Sequence, residues 1–513
     1  MSLLWWIPLG LLALLIVLGL YDVLQRGETI PRNFPVVGRL RALLQRLGPP
    51  LRQYIVSRND EERPFSRDER RWIYTSAGKE NSYFGFGTDN DLELEPNYVL
   101  IKHRAFPLDS PHPGKPGYDR DYRIPCAKVL GASRGRAKAF RPASVVNVSA
   151  MSFGSLGGRA VEALNRGCAI AGCLHNTGEG GISLHHLHGG ELILQLGTAY
   201  FGSRGADGNF SMDQLKATVA QNPQVRAIEI KLSQGAKPAL GGLLPAAKVT
   251  REIAEARGIP EGVDCASPAR HSAFEDADSM LDFVEAIAGE TGLPVGIKSA
   301  VGELEFWEEL ADLMADGGRG VDFMTIDGGE GGTGAGPLVF TDHVALPFKI
   351  GFSRVYGIFA ERGLSDRVVW VGSAKLGLPA NAFLAFAMGC DMVSVAREAM
   401  LSIGCIQAQE CHTGHCPAGV ATHHKWLVRG LDPTLKSARL ANYVLALRKD
   451  LLQLSRACGV PHPGLVTPGD VEIIDGRLHS APVDQVFCAG TSGKVIGDGR
   501  SEELGKLMDE LQR

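Results

Sequence analysis

Cys405, Cys411 and Cys416 fall within twelve positions of the stretch GCIQAQECHTGHCPAGVAT, residues 404–422, and a proline follows the last of them. Thiolates at such short separations can reach one soft metal centre. A Cys-Pro ending is shared with iron–sulfur loops, although the C-x5-C-x4-C spacing is neither the bacterial nor the plant ferredoxin pattern. Three ligands would suit a three-iron cluster. Zinc is the rival centre, because His412, His415, His423 and His424 could add a fourth ligand. Three unrelated thiols in a loop is the plainest alternative. The clustering argues against it, since grouped cysteines in a reduced protein read first as metal or redox chemistry. The other seven, Cys126, Cys168, Cys173, Cys265, Cys390, Cys458 and Cys488, are scattered through apolar or glycine-rich stretches and read as reduced core residues.

The net charge of −4 over 513 residues gives no global basic field, which excludes nucleic acid as the expected partner and favours small molecules. The 63 glycines and 28 prolines concentrate in loop-like runs, the punctuation of an enzyme whose backbone approaches a ligand closely. Ser2 to Tyr21 carries no charge and is long enough to cross a ~30 Å hydrocarbon core as a helix. A signal peptide is the alternative, but no basic residue precedes the run and no A-x-A site follows it. Arg26, Arg32, Arg39, Arg41, Arg46 and Arg52 come next. By the positive-inside rule they place everything after Tyr21 in the cytoplasm, giving a single-pass inner-membrane protein with Trp5 and Trp6 at the outer interface.

The expected organisation is a transmembrane helix over 1–22 and a juxtamembrane helical stalk over 23–90, with Leu40, Leu43, Leu44 and Leu47 on one face near anionic headgroups. A β/α barrel follows over 91–430, and a C-terminal extension over 431–513 packs on it. Eight short, mostly apolar runs read as buried parallel strands: Ser144–Ser149, Cys173–Asn176, Ala227–Leu232, Val263–Ser267, Val295–Ser299, Phe323–Asp327, Val368–Gly372 and Met392–Val395. Segments such as Met280–Thr291 and Leu304–Asp316 have the period of covering helices. The fold class is therefore α/β, a (β/α)8 TIM barrel, whose chemistry sits on the loops after the strands. Every polar cluster falls there: SFGS, NTGEGG, SQGAKP and SPARH after the first four strands, DGGEGGTGAGP after the sixth and GSAK after the seventh. The loops after strands seven and eight, with Gly372, Ser373, Ala396 and Arg397, are candidates for a phosphate cradle.

SAMSFGS from Ser149, HNTGEGG from His175, KLSQGAKPALGGLLPAAKV from Lys231, DGGEGGTGAGP from Asp327 and the cysteine run from Cys405 resemble, in order, the central FMN-binding synthase domain of glutamate synthases. The resemblance implies a β/α barrel that binds FMN and 2-oxoglutarate, with a 3Fe-4S cluster on Cys405, Cys411 and Cys416. It implies reductive amination, in which electrons enter through the cluster, reach the flavin and reduce an imine formed from a 2-oxo acid and ammonia. The glutamine-hydrolysing domain of that family has no counterpart at this N-terminus, and no strand–G-x-G-x-x-G–helix nicotinamide fingerprint is present. An amidotransferase would supply the ammonia, and a ferredoxin or a reductase the electrons. Ile182-Ser183 replace an acidic residue often found after GEGG, Val371-Gly372-Ser373 replace a DGG, and Arg270-His271 replace paired histidines.

Through the resemblance, Lys231, Gln234 and Lys237 contact flavin and keto acid, and Ala150, Met151 and Ser152 line the flavin ring. Gly331, Gly332, Thr333 and Gly334 would let a ligand approach the sixth loop. Glu179 is the candidate acid or ammonium contact, with backbone capping as the alternative. Arg270 and His271 are candidates for a substrate carboxylate. An FMN oxidoreductase of a hydroxy acid, an amine or a membrane quinone is the second reading, and a non-catalytic anchored subunit the third.

Overall fold

The computed structural model describes residues 6–511 apart from 26–28, 81–82, 84, 111–112, 115–117, 488–492, 495 and 498. Trp5, Arg26, Cys488 and the first residues of the apolar run lie outside the described residues. The chain forms two compact units, Met1–Glu69 and Arg70–Arg513.

In the first unit, the apolar run forms the helix Trp6–Leu24, which among the described residues is the one long and apolar enough to cross a membrane. Those two properties fit a signal sequence equally. Asp22 near its end is buried and accepts from Arg39 Nη2 at 2.5 Å and from the Val36 backbone N–H at 2.9 Å. Helix Val37–Leu51 leaves Leu40, Leu43, Leu44 and Leu47 exposed, as its amphipathic pattern predicts.

In the second unit, eight parallel strands close a barrel in sequence order: β1 (Val146–Val148), β2 (His175–Asn176), β3 (Leu192–Leu196), β4 (Val225–Lys231), β5 (Val295–Ser299), β6 (Phe323–Asp327), β7 (Val369–Ser373) and β8 (Met392–Val395). Seven of the eight expected strands are in place. The run Val263–Ser267 is not a barrel strand: Val263 is 53% exposed, and Cys265–Ala266 pairs antiparallel with Leu243–Leu244 within the β4–β5 connection. The missing strand is β3, LILQL, wholly buried. Only a short 3-10 turn, Leu184–His186, separates it from β2. With no covering helix before it, β3 breaks the strand–helix rhythm from which strands are inferred. SQGAKP therefore follows the fourth strand, and SPARH lies farther along that same connection.

Alternation along the strands gives the barrel interior layers. Its floor is apolar, where Leu174, Ile193, Ala227, Phe323 and Val369 meet Cys126, Leu130 and Phe140 from the segment before β1. At the other end the register aligns Lys231 with Lys298 and Asp327 with Ser373, so the mouth is polar and charged. The C-terminal segment belongs to this unit. Helix Pro433–Ala457 packs on helix Gly158–Ala171, and its buried Arg448 donates to the Ala171 carbonyl at 2.9 Å. Val471–Ile474 pairs antiparallel with both Val99–Ile101 and Ser480–Pro482.

Candidate functional site

Lys231 ends β4 and Glu179 sits in the turn after β2; their side chains meet at the mouth with Nζ 3.0 Å from Oε1. Two glycines make the slot for this carboxylate. A Cβ at Gly197 would lie 2.6 Å from Glu179 Cβ, and one at Gly242 would lie 2.7 Å from Oε1. Burial pushes the Glu179 carboxyl up, but Lys231, Lys237 and Arg257 more than offset this and hold it below the ordinary carboxylate range. Burial pulls Lys237 down from the usual lysine value, against the opposing charge of Glu179. Arg257, from helix Arg251–Arg257, is itself buried and donates to the Phe153 carbonyl at 3.1 Å.

The loops after β4 and β6 lock together. Gln234 Nε2 donates to the Gly332 carbonyl at 2.7 Å, and the Gly235 N–H donates to Asp327 Oδ2 at 2.9 Å. A Cβ at Gly235 would collide with the Gly328 carbonyl, so glycine is required where the two backbones touch. Asp327 also faces Lys298 Nζ at 3.4 Å, both side chains being buried. Gly331, Gly332, Thr333 and Gly334 follow on this loop; Arg397 fills the space beside Gly332, and Ser155 that beside Gly334. Ala150, Met151 and Ser152 lie just past β1, with Met151 and Ser152 buried. The turn after β2 abuts them, since a Cβ at Gly178 would fall 2.6 Å from the Ser152 nitrogen.

His271 and Arg270 part company. Arg270 is exposed, whereas His271 is buried with both ring nitrogens engaged. Tyr200 Oη accepts from the Ser272 and Ala273 N–H groups at 3.1 Å each, so its own hydrogen goes to His271 Nδ1 at 3.0 Å. Nε2 then keeps its hydrogen and donates it to the Lys231 carbonyl at 2.9 Å. Burial lowers the imidazole's pKa, in keeping with this neutral tautomer. His271 thus braces the backbone of Lys231.

At the last two strands, Gly372 packs outward: a Cβ there would meet Leu376, Cys390 and Phe348. Ser373 faces the interior beside Asp327. The next two residues, Ala374 (φ 140°) and Lys375 (φ 51°), hold left-handed backbone without being glycine, a strain of the kind found at ligand clamps. Ala396 immediately follows β8 and Arg397 begins helix Arg397–Ser402, with Nη2 donating to the Glu330 carbonyl at 2.5 Å.

The cysteine loop follows that helix. Burial pushes the Cys405 thiol up to about 11, and Cys411 and Cys416 are close enough to add to the rise. Burial likewise raises Cys411, with Cys416 adding to it. Among the described residues, no three His, Cys, Asp or Glu side chains are gathered at metal-binding distance. His423 Nε2 donates to the Gly154 carbonyl and His415 Nδ1 to the Thr413 carbonyl. Lys248, 2% exposed, stands beside Cys411 and Cys416 and donates to the Ser155 carbonyl at 2.9 Å.

Lys298, Arg257 and Tyr200 are additions that the sequence reading missed. Lys298 carried a usable signal: it is a charged residue second from the end of an apolar strand, in phase with Lys231. Arg257 and Tyr200 carried none, because their roles depend on how loops fold back.

Residues 132–461 match the family model for the conserved region in glutamate synthase. The glutamate synthase large subunit-like protein YerD of Bacillus subtilis is 37% identical, over 89% of this chain and 92% of its own length. An archaeal-type glutamate synthase [NADPH] of Thermotoga maritima is 33% identical over 61% of this chain, which spans 59% of that protein. A glutamate synthase large subunit-like protein of Rhizobium meliloti is 29% identical, over 72% of this chain and 84% of its own length. With its barrel, its ordered loops and its cysteine run, this chain belongs to the glutamate synthase family.

Proposed function

We propose that the chain is an FMN- and iron–sulfur-dependent oxidoreductase that makes glutamate from 2-oxoglutarate and ammonium. The observation that carries this reading is the Lys231–Glu179 pair at the barrel mouth, on the loops that the family shares. The reaction balances as 2-oxoglutarate, ammonium, two electrons and two protons giving glutamate and water. FMN, when bound, would supply the two-electron reductant, and Cys405, Cys411 and Cys416 would hold a 3Fe-4S cluster, whose chemistry is single-electron transfer. A ferredoxin or reductase delivers those electrons, and a separate amidotransferase the ammonia.

The chain's own residues do the rest. Lys231 and Lys237 bind the carboxylates of the 2-oxo acid. Glu179, kept ionised by Lys231, would hold the incoming ammonium by its charge. Gln234 is aimed by its bond to Gly332, and the loops at 150–152 and 331–334 would line a planar ring. The strained turn at Ala374 and Lys375, with Ser373, Ala396 and Arg397, would hold the cofactor's phosphate. Lys248 would support an anionic cluster, since its buried ammonium lies near Cys411 and Cys416. Helix Trp6–Leu24 would anchor the protein in the inner membrane, with the arginines after it keeping the barrel cytoplasmic.

The test is anaerobic. Chemically reduced protein should be reoxidised by 2-oxoglutarate plus ammonium, with glutamate formed in equal amount. No reoxidation by that pair would reject the substrate assignment. The apolar helix favours one second reading, the same flavin barrel exchanging electrons with a membrane quinone, and reoxidation by a short-chain quinone alone would select it.

A further inference from the structure

Glu229 is 2% exposed at the middle of β4, pointing into the barrel one layer below Lys231. Three hydrogen bonds satisfy its carboxylate, all from neutral side chains on other strands. Oε2 accepts from Asn176 Nδ2 on β2 at 2.6 Å and from Gln195 Nε2 on β3 at 2.7 Å. Oε1 accepts from Thr325 Oγ1 on β6, two strands away, at 2.6 Å. Two of the bonded residues, Thr325 and Glu229, lie one layer beneath residues of the site. Thr325 is two positions before Asp327 and is in register with Lys298, and Glu229 is two before Lys231.

The consequence is greatest for β2. That strand is two residues long, pairs with β1 through Val148 and His175 alone, and reaches β3 through two residue pairs. Its ladder is thus the thinnest in the barrel, yet the turn it launches carries Glu179. Asn176 makes up the difference. With its amide nitrogen bound to Glu229, its Oδ1 accepts from the Gly178 N–H at 3.0 Å, one residue before Glu179.

We propose that Glu229 is a positioning residue of the active site: its carboxylate holds Asn176, and through it the Gly178–Glu179 turn, where Glu179 meets Lys231. Because Gly178 abuts Ser152, slack in this turn also reaches the bed proposed for the flavin ring. The effect on flavin rests on the FMN reading; the effect on the turn does not.

The experiment uses the full chain as wild type, Glu229→Gln, Glu229→Met and Asn176→Ala. Amide hydrogen exchange over residues 177–181 is measured without added flavin, and FMN titration with visible circular dichroism follows. Glu229→Met and Asn176→Ala should each speed exchange in this turn by about tenfold or more, the size expected when a buried donor loses its acceptor. Exchange in β6 should stay unchanged in Asn176→Ala. Glu229→Gln should stay within about threefold of wild type, since its Oε1 can take both amide donors while the Thr325 hydroxyl turns to accept. FMN affinity should follow the same order, and the bound flavin's dichroism should weaken in the two loosened variants. Wild-type exchange in Asn176→Ala overturns the proposal even if Glu229→Met does not fold. Glu229→Gln behaving as badly as Glu229→Met also overturns it, because charge rather than hydrogen bonding would then be at work. Absence of FMN binding by wild type, with the exchange order intact, rejects the cofactor reading and leaves the positioning role standing.

Discussion

At the barrel mouth the folded chain supplies its own partners. Glu179 faces Lys231, Asp327 faces Lys298 and the Gly235 N–H, and His271 is held between Tyr200 and the Lys231 carbonyl. The cysteine loop is built differently. Burial raises the Cys405 and Cys411 thiols, the neighbouring Cys416 adds to both, and no three ligands are gathered there among the described residues. A site that must stay open to changing substrates profits from groups already paired and aimed. A site made for one resident centre can leave its charge balance to that centre, because thiolates form as metal binds. The first kind shows in geometry and the second in spacing.

Five changes would break or sharpen this contrast. Cys411→Ser should have the largest effect, taking iron from about three per chain to background while FMN stays bound. Iron and flavin analysis of one sample checks it. Lys231→Met should lower turnover by about 10²–10³, the range for removing one positioned charge from an enclosed site, with iron content unchanged. Lys248→Met should weaken iron retention under a chelator about ten- to a hundredfold, as loss of a supporting contact does. Equal retention would mean that the lysine is not the counter-charge.

Glu179→Gln should act through pH. The folded carboxyl titrates below the ordinary range, so its stabilisation is complete above the usual value of about 4.3 and is lost as pH falls through the lower folded pKa. Melting curves should therefore show a constant gap between wild type and variant above about pH 5 and a shrinking gap in stronger acid. Tyr200→Phe should have the smallest effect, about 1–2 kcal/mol from denaturant unfolding, because the Ser272 and Ala273 N–H groups lose an acceptor and His271 Nδ1 a donor.

The two regions also differ in how far the sequence discloses them. Cys405, Cys411 and Cys416 declare themselves by spacing, and seven strands by short apolar runs between glycine-rich turns. β3 escaped because no helix precedes it, and Val263–Ser267 took its place because a short run with apolar residues looks the same in a two-stranded ribbon as in a barrel. Lys231, Gln234 and Glu179 were legible through their motifs. What those motifs do not carry is which charges meet: that Lys298 reaches Asp327, that Arg257 comes back to the Phe153 carbonyl, or that His271 turns inward while Arg270 stays in solvent. These depend on loops separated by tens of residues closing over one another, and local pattern has no term for that.

The central claim is that one chain carries both a flavin site and a cysteine-bound iron–sulfur site. The most direct measurement is the visible spectrum of detergent-solubilised, anaerobically purified full-length protein, with acid-released flavin, iron and zinc quantified on the same sample. The account predicts flavin bands over broad iron–sulfur absorption, with about one FMN and about three irons per chain. Zinc without flavin would contradict it.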